Sequence, residues 1–182
     1  MTDGIRVTAE GFGDWASSVK AGDMILLSGT VVTARDAAHK RIFASIEKNE
    51  PLPFDVRGAF IYYAGPTPAK AGLPVGSCGP TTSSRMDKYA PTLYRLGLSA
   101  TIGKGPRSEE VREAIKETGS LYLCAVGGAG ALTAKCITSV EVIAYDDLGC
   151  ESVKKMTVSD LPLFVGIDAK GNSAFAEIKK EV

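Results

Sequence analysis

The residues best suited to chemistry stand in the stretch 76–87, which begins as a glycine-rich loop and continues into a helix-compatible segment. Four hydroxyl residues, Thr81 to Ser84, stand at the changeover, and Arg85 follows directly. A helix leaves its first backbone N–H groups without intrahelical partners, so such a terminus with a nearby cation suits a carboxylate or a phosphate. Hydroxyl residues at this place are also ordinary N-cap residues. On the local sequence alone, both interpretations stay open.

Two further strand-to-helix junctions carry positive side chains. In the first, residues 33–39, Arg35 and His39 stand four residues apart and share a helix face. The helix dipole disfavours a cation in the first turn, so Arg35 is expected to have an anionic partner, and either a bound ligand or the adjacent Asp36 fits that role. In the second, Lys104 stands between two glycines, which let the backbone approach a ligand closely.

These junctions are expected to converge. The carboxyl ends of the strands in an open α/β sheet lie at one edge, where ligands bind. We therefore expect Arg35, Arg85 and Lys104 to meet around the hydroxyl residues and to form a site for a small dianion. Arginine offers a carboxylate two parallel hydrogen bonds, which lysine cannot. The glycine-rich turn 127–130 lacks the GxGxxG spacing, and the sequence has no Walker motif, so nucleotide binding is not expected.

The four cysteines, Cys78, Cys124, Cys136 and Cys150, are widely and irregularly spaced. Without a CxxC pair, they do not indicate a zinc site or a self-contained iron–sulfur site. Cys124 and Cys136 stand in apolar surroundings that predict buried packing residues. Cys78 lies in the glycine-rich loop, but no partner motif supports a role as ligand or nucleophile.

Composition sets the broad class. The chain has 182 residues, of which 45% are hydrophobic and 23% charged, which fits one globular domain over residues 1–182. A formal net charge of zero argues against a general nucleic-acid binder. No apolar run approaches the roughly 20 residues of a membrane span, and the N-terminus lacks the pattern of a signal peptide. We therefore expect a cytoplasmic protein that binds neither nucleic acid nor membrane.

Apolar runs and turn signals predict the elements that position these residues. Strands are expected at residues 5–8, 24–32, 59–64, 99–102, 121–126 and 140–145. Helices are expected from a cap at Thr33 to about residue 49, from 82 to 96 with Gly97 as terminator, and from a cap at Ser108 to 118. After residue 153, short strands are expected with turns at Asp160, Asp168 and residues 171–172. The alternating middle predicts a parallel or mixed sheet with right-handed crossovers, and both ends are strand-rich.

The junctions together resemble the β subunit, or C-terminal domain, of the iron–sulfur-dependent class I fumarate hydratases and the related L-tartrate dehydratases. The matching segments are 27–30, 34–41, 63–66, 79–87, 103–105, 127–132, 161–165 and 168–172. Segment 79–87, GPTTSSRMD, is the most specific of them, and the resemblance runs from about residue 20 to residue 175. Ala34 departs from the glycine of many relatives, a change confined to the turn.

This resemblance implies an α/β fold: a swivelling β/β/α domain with a mixed, partly parallel central sheet and strand-rich N- and C-terminal flanks. It also implies a four-iron–four-sulfur cluster carried by a partner α subunit, with none bound by this chain alone. The unique iron of that cluster acts in the family as a Lewis acid on the substrate hydroxyl. The two chains are expected to form an α2β2-type hetero-oligomer.

The resemblance also implies roles for single residues. Thr81 matches the residue proposed as the base for the C3 proton of malate. Arg35, Thr82, Arg85 and Lys104 match residues that hold the substrate carboxylates, again through the resemblance. His39 lies beside Arg35 and is a second catalytic candidate, with a less defined role.

The implied activity is the reversible hydration of fumarate to L-malate, in complex with the α subunit. Dehydration of L-tartrate to oxaloacetate is the alternative within the same class, because both substrates are four-carbon dicarboxylates. A non-catalytic dicarboxylate-binding module is the alternative from another class. The intact segment 79–87 argues against this module.

Overall fold

The structure is a computed structural model that describes residues 4–69, 71–126 and 128–175. Within these ranges the strands are β1 Ile5–Thr8, β2 Met24–Thr33, β3 Phe60–Tyr62, β4 Ala100–Gly103, β5 Leu121–Cys124, β6 Ile137–Ala144 and β7 Val153–Ile167. The helices are α1 Phe12–Trp15, α2 Asp36–Glu47, α3 Ala90–Arg95, α4 Glu109–Thr118 and α5 Gly130–Lys135, with 3₁₀ turns at Ser83–Met86 and Asp146–Glu151. Gly127, in the predicted glycine-rich turn, and residues 1–3, in the N-terminus searched for a signal peptide, lie outside the described residues.

The strands form one mixed sheet in the order β1-β2-β3-β4-β5-β7-β6. Strands β1 to β5 are parallel neighbours, whereas β7 runs antiparallel to β2, β5 and β6. Because β7 pairs with both β5 and β2, strands β2, β3, β4, β5 and β7 close into a five-stranded barrel with β1 and β6 outside it. The prediction of a mixed α/β fold with a parallel centre is confirmed. The expectation of an open sheet is wrong.

The closure depends on β7, for which the sequence predicted short strands. Instead β7 is a single strand of 15 residues, and the expected turn at Asp160 is an irregularity within it. Asp160 has φ 47°, and its N–H donates to Ser28 Oγ at 2.9 Å, next to a register shift between Leu27 and Gly29. Such a bulge bends a strand without ending it. The turn predicted at Asp168 is confirmed by the hydrogen bond from Gly171 N to Asp168 O at 2.9 Å.

Side chains on the barrel strands alternate between two apolar clusters, as a period of two requires. Phe60, Tyr62 and Ile102 belong to the first, which lines the inside of the barrel together with other buried strand residues. Ile61 and Tyr63 belong to the second, in which helices α2, α3 and α4 pack on the outer face. Successive residues of one strand thus serve both the core and the helical layer.

The helix predicted from 82 to 96 is interrupted, which corrects that prediction. Residues Ser83–Met86 form a 3₁₀ turn, and α3 begins only at Ala90 with Pro91 in its first turn. Proline lacks an N–H and is tolerated only at the start of a helix, so Pro91 marks a new beginning. The predicted terminator Gly97 has φ 102°.

Two predicted caps have different outcomes. Ser108 caps α4, since its Oγ accepts from Val111 N at 3.4 Å. Thr33 does not cap α2; it ends β2, and its Oγ1 accepts from Lys154 N on β7 at 3.1 Å. Arg35 takes the N-cap position with extended backbone. Among the described helices, none is long and apolar enough to cross a membrane.

Candidate functional site

The segment Thr81–Ser83 crosses the carboxyl ends of β3 and β4 and is bonded to both. Thr81 N donates to Tyr63 O at 2.7 Å, and Ser83 N donates to Lys104 O at 2.9 Å. Thr82 forms an isolated parallel bridge with Lys104. Two of the three cationic junctions are therefore joined through their backbones.

Gly103, the last residue of β4, makes this close approach sterically feasible. A Cβ at this position would lie 2.9 Å from Tyr63 Cδ2 and still closer to Ser83 Oγ. Real Cβ atoms do not tolerate such distances, so any other residue here would force the side chains of Ser83 and Tyr63 to move.

Arg85 connects the same segment to α2. Its Nε and Nη2 donate to the two carboxylate oxygens of Asp36 at 3.0 and 2.6 Å, a bidentate pair. The Arg85 side chain is 50% exposed, and no partner of its Nη1 is found among the described residues. The guanidinium is thus oriented by Asp36 while part of its donor set stays accessible to a ligand.

Arg35 is paired with Glu151 and not with the adjacent Asp36. Its Nη2 lies 3.5 Å from Glu151 Oε1, and Glu151 Oε2 accepts from Ala37 N at 2.9 Å. Glu151 therefore orients Arg35 and also satisfies an N–H group at the start of α2. Gly65 leaves room for this arrangement, because a Cβ there would lie 2.7 Å from Arg35 Nη1. Among the residues that the structure describes, the buried Arg35 Nε has no hydrogen-bond partner.

His39 lies on the buried side of α2, stacked on Tyr89 and edge-on to Tyr63. Its Nδ1 lies 2.8 Å from Arg35 O, and since a carbonyl can only accept, Nδ1 carries the proton. Burial lowers the pKa of His39 from 6.5 to about 4, and the charge of Arg107 acts in the same direction. His39 is therefore neutral at pH 7, and its buried Nε2 lone pair has no partner within the described part of the chain.

The remaining predicted residues lie nearer the surface. Thr81 and Lys104 are half-buried and Thr82 is exposed. No hydrogen bond of either threonine hydroxyl, and no ion pair of Lys104, is found within the described part of the chain. The structure thus joins the Thr81–Ser83 segment to Lys104 through the backbone, and joins Arg85 to Asp36, the neighbour of Arg35. His39 lies against the Arg35 carbonyl. The catalytic and binding roles of the predicted residues stay predictions.

The cysteines of this chain do not fit an iron–sulfur cluster. Cys78 is fully buried, Cys150 is exposed, and Cys124 and Cys136 are intermediate. Over residues 4–69, 71–126 and 128–175, no group of three or more histidine, cysteine, aspartate or glutamate residues is arranged to hold a metal ion. Burial raises the pKa of the Cys78 thiol to about 12, so it is not a thiolate at neutral pH.

The concavity between α3 and α4, with a volume of about 740 Å³, is a poor place for a dianion. Its lining includes four carboxylates and only two cations: Asp87, Glu109, Glu110 and Glu113, with Lys88 and Arg95. Like charges would repel a dicarboxylate there. The cationic junctions at the barrel end are electrostatically better suited to bind a dianion.

Sequence reasoning missed Glu151 and Lys154 on the far side of the site. The Lys154 ammonium contacts the 3₁₀ turn 146–151 and the residue after it. Its Nζ donates to Ser152 Oγ at 2.5 Å and to Gly149 O at 2.9 Å. This holds the turn that presents Glu151 to Arg35. No local pattern connects these residues to Arg35, because the contact depends on the pairing of β7 with β2.

Sequence reasoning also missed the buried pair of Arg107 and Asp87, 2.6 Å apart, beneath the segment Thr81–Ser83. Its only sequence signal was a cation next to the N-cap Ser108, three residues after Lys104.

Comparison with known proteins identifies the class. The family model described as "Fumarase C-terminus" matches residues 4–178. The chain therefore belongs to the fumarase C-terminus family, the hydro-lyase family of class I fumarate hydratases.

Two relatives are fumarate hydratases. The chain is 40% identical to "Fumarate hydratase 2" of Leishmania major over 163 residues, which are 88% of this chain and 29% of that protein. It is 41% identical to "Fumarate hydratase class I, anaerobic" of Escherichia coli over 154 residues, 84% of this chain and 28% of that protein. The chain thus spans less than a third of the length of these enzymes.

A third relative matches along most of its length. The chain is 38% identical to a "Putative L(+)-tartrate dehydratase subunit beta" of Methanocaldococcus jannaschii over 170 residues, 90% of this chain and 87% of that protein.

Proposed function

We propose that this chain is the β subunit of a hydro-lyase that hydrates fumarate to L-malate reversibly, together with an α subunit that carries a four-iron–four-sulfur cluster. The observation that supports the proposal is the link between the three cationic junctions. The Thr81–Ser83 segment is bonded to Lys104, and Arg85 pairs with Asp36 beside Arg35. Three cations with free donor capacity suit a substrate with two carboxylates. Membership in the fumarase C-terminus family supports the reaction class.

In this proposal, the two arginines and Lys104 bind and orient the carboxylates. Asp36 and Glu151 fix the guanidinium groups before substrate arrives, which lowers the ordering cost of binding. Substrate would contact the donors that these acids leave free. The formal charge of the five side chains is +1, so the site attracts a dianion without excessive self-repulsion among its cations.

Thr81 handles the proton at C3 in this proposal. A threonine hydroxyl is a poor base at its free pKa and needs a neighbour that stabilises the alkoxide. The parallel bridge holds the Lys104 backbone next to Thr82, the neighbour of Thr81, and in this proposal the Lys104 ammonium supplies the positive charge. His39 is neutral and buried, which supports a role through Arg35, whose carbonyl it contacts, rather than through the substrate.

The cluster itself must come from elsewhere in the enzyme, because the cysteines of this chain do not fit it. The relative named as a subunit beta supports a separate α subunit as its carrier. An α2β2-type assembly is the form we propose for the active enzyme.

Dehydration of L-tartrate is the second candidate, favoured by one observation. The relative covered along 87% of its length is a putative tartrate dehydratase subunit. Substrates that differ by one hydroxyl are separated by a few pocket contacts. The residues described above bind carboxylates and would serve both substrates.

The experiment is a kinetic comparison of the complex, assembled anaerobically from this chain and a cluster-carrying α subunit. Fumarate hydration and L-tartrate dehydration are measured on the same preparation, and kcat/KM is compared. The proposal expects turnover of fumarate and malate, with tartrate poorer. A higher kcat/KM for tartrate assigns the second candidate, and dicarboxylate binding without turnover of either would leave the non-catalytic module.

A further inference from the structure

Arg107 is a fully buried cation whose guanidinium is bound on several sides. Its side chain is 0% exposed, and Nε donates to Asp87 Oδ1 at 2.6 Å. Nη1 donates to Thr101 Oγ1 at 2.9 Å, and Nη2 lies 3.4 Å from the Tyr63 hydroxyl. The guanidinium carbon also lies 5.4 Å from the ring centroid of Tyr63 and 4.9 Å from that of Tyr122.

Stability alone is a weak reason for such a pair. Desolvation of two buried charges offsets much of their attraction, and apolar side chains of similar volume often serve as well or better. A buried ionic network does, however, fix geometry, because each donor of the planar guanidinium points in a set direction. The role of Arg107 therefore depends on the groups that it holds in place.

The groups that contact Arg107 are those that hold the segment Thr81–Ser83. Tyr63, which faces the guanidinium with its ring, accepts from Thr81 N through its carbonyl at 2.7 Å. The Tyr122 hydroxyl lies 2.7 Å from Gly105 O and 2.9 Å from Ser83 Oγ. Gly105 O can only accept, so the Tyr122 hydroxyl donates its hydrogen bond to Gly105 O. The Tyr122 oxygen in turn accepts a hydrogen bond from the Ser83 hydroxyl.

Arg107 also ties together the two ends of this region. Asp87 directly follows the 3₁₀ turn that begins at Ser83, and its Oδ2 accepts from Ser108 N at 2.7 Å. The Arg107–Asp87 pair thus connects the end of the Ser83–Met86 turn to the start of α4 and, through Thr101, to β4.

We propose that Arg107 is a positioning residue for the reaction proposed above: it fixes Tyr63, Tyr122 and Asp87, and through them holds Thr81 and Thr82 against the end of β4. The inference rests on the proposed function for its catalytic consequence. Its structural part can be tested separately: the guanidinium of Arg107 stabilises the backbone hydrogen bonds of the Thr81–Ser83 segment.

Arg107→Lys is the informative variant. Lysine keeps the positive charge and can still pair with Asp87, so the chain is expected to fold. One ammonium on a flexible stem cannot bind Asp87, Thr101 and the two tyrosines in the same fixed geometry. Arg95→Lys is the matched control, because Arg95 pairs with Glu117 at 3.0 Å on the surface between α3 and α4.

The structural part is measured by amide hydrogen exchange, resolved by residue, on the wild-type chain and both variants. In Arg107→Lys, exchange at Thr81 N and Ser83 N is expected to be at least about tenfold faster, the effect of weakening one hydrogen bond. Amides of β2 and β7 should exchange as in wild type, and Arg95→Lys should leave Thr81 and Ser83 unchanged. Wild-type exchange at both positions in a folded Arg107→Lys chain overturns the proposal.

If Arg107→Lys fails to fold, Tyr122→Phe tests the same connection without altering the buried charge. It removes only the hydroxyl between Ser83 Oγ and Gly105 O. Faster exchange at Ser83 N is the expected result, and unchanged exchange there overturns the proposal.

The catalytic part is measured in the assembled enzyme. Because Arg107 acts on the placement of Thr81 and not on the substrate carboxylates, Arg107→Lys should lower kcat by about tenfold or more with a smaller change in KM. An unchanged kcat in a complex with faster Thr81 exchange would contradict a positioning role. A wild-type complex without any turnover would instead refute the proposed function, while the exchange result stands independently of it.

Discussion

The buried, neutral His39 predicts a pH dependence of stability that one substitution should remove. His39 is the only histidine of the chain, so its titration can be isolated. His39→Asn is the suitable variant, since the asparagine amide can replace Nδ1–H as donor to Arg35 O. The variant loses ring packing against Tyr89 and Tyr63 and will be less stable at every pH, so the comparison concerns the slope with pH.

The magnitude follows from the shift in pKa between the two states. Burial, reinforced by Arg107 and opposed by the Arg35 carbonyl and Asp36, lowers the folded-state pKa from 6.5 to about 4. Between these values the unfolded chain binds a proton that the folded chain does not, so the stabilisation is complete above pH 6.5 and is lost as the pH falls toward 4. From pH 7 to pH 5 the expected loss is about 2 kcal/mol.

The assay is urea unfolding of both proteins at a series of pH values between 7 and 5. Carboxylates also begin to titrate in this range, but they are the same in both proteins and cancel in the difference. Wild type should lose about 2 kcal/mol more free energy of unfolding than His39→Asn over the two pH units. Equal losses would refute the reasoning, because they would mean that His39 protonates as readily in the folded chain as in the unfolded one.

Three further outcomes follow from the site. Arg85→Lys should lower kcat/KM of the assembled enzyme by about 10- to 100-fold, the worth of one charged hydrogen bond. Arg95 is equally exposed and also paired with a carboxylate, so Arg95→Lys should leave kcat/KM unchanged. Equal kinetics of the two variants would exclude Arg85 from the site. Gly103→Ala should lower the free energy of unfolding by about 1–3 kcal/mol in urea titrations, because its Cβ collides with the side chains of Ser83 and Tyr63. Gly13→Ala, with open space around the added Cβ, should not, and wild-type stability of Gly103→Ala would contradict the close approach. The chain by itself, reconstituted anaerobically, should show neither fumarate turnover nor iron–sulfur absorbance, and substantial turnover without a partner would refute the two-subunit proposal.

Local signals in the sequence identified most elements of the barrel and helices. The apolar run of β2, the cap at Ser108 and the terminator at Gly97 depend on neighbouring residues only, and all three are found as predicted. Pro91 was the overlooked signal that separates the 3₁₀ turn from α3. The turn predicted at Asp160 was wrong, because an aspartate with positive φ can occupy a bulge within a strand as well as a turn.

Barrel closure and the acidic partners of the site had no local signal. Pairing of β2 with β7 joins the two ends of the chain and is decided by tertiary packing. The same closure brings Glu151 to Arg35, whereas the sequence offered Asp36, which instead binds Arg85. Residue type and junction position could indicate the cations, but which carboxylate faces each cation depends on the three-dimensional fold.

The assignment of Thr81 to the proton step is tested most directly by exchange of the malate C3 proton with deuterated solvent, followed by NMR in the assembled enzyme. Thr81→Val keeps the shape of the side chain and removes the hydroxyl, so exchange should slow by about 100-fold or more. Thr82→Val, the matched control on the adjacent residue, should exchange the proton near the wild-type rate and act mainly on KM. Exchange at the wild-type rate in Thr81→Val would contradict the assignment.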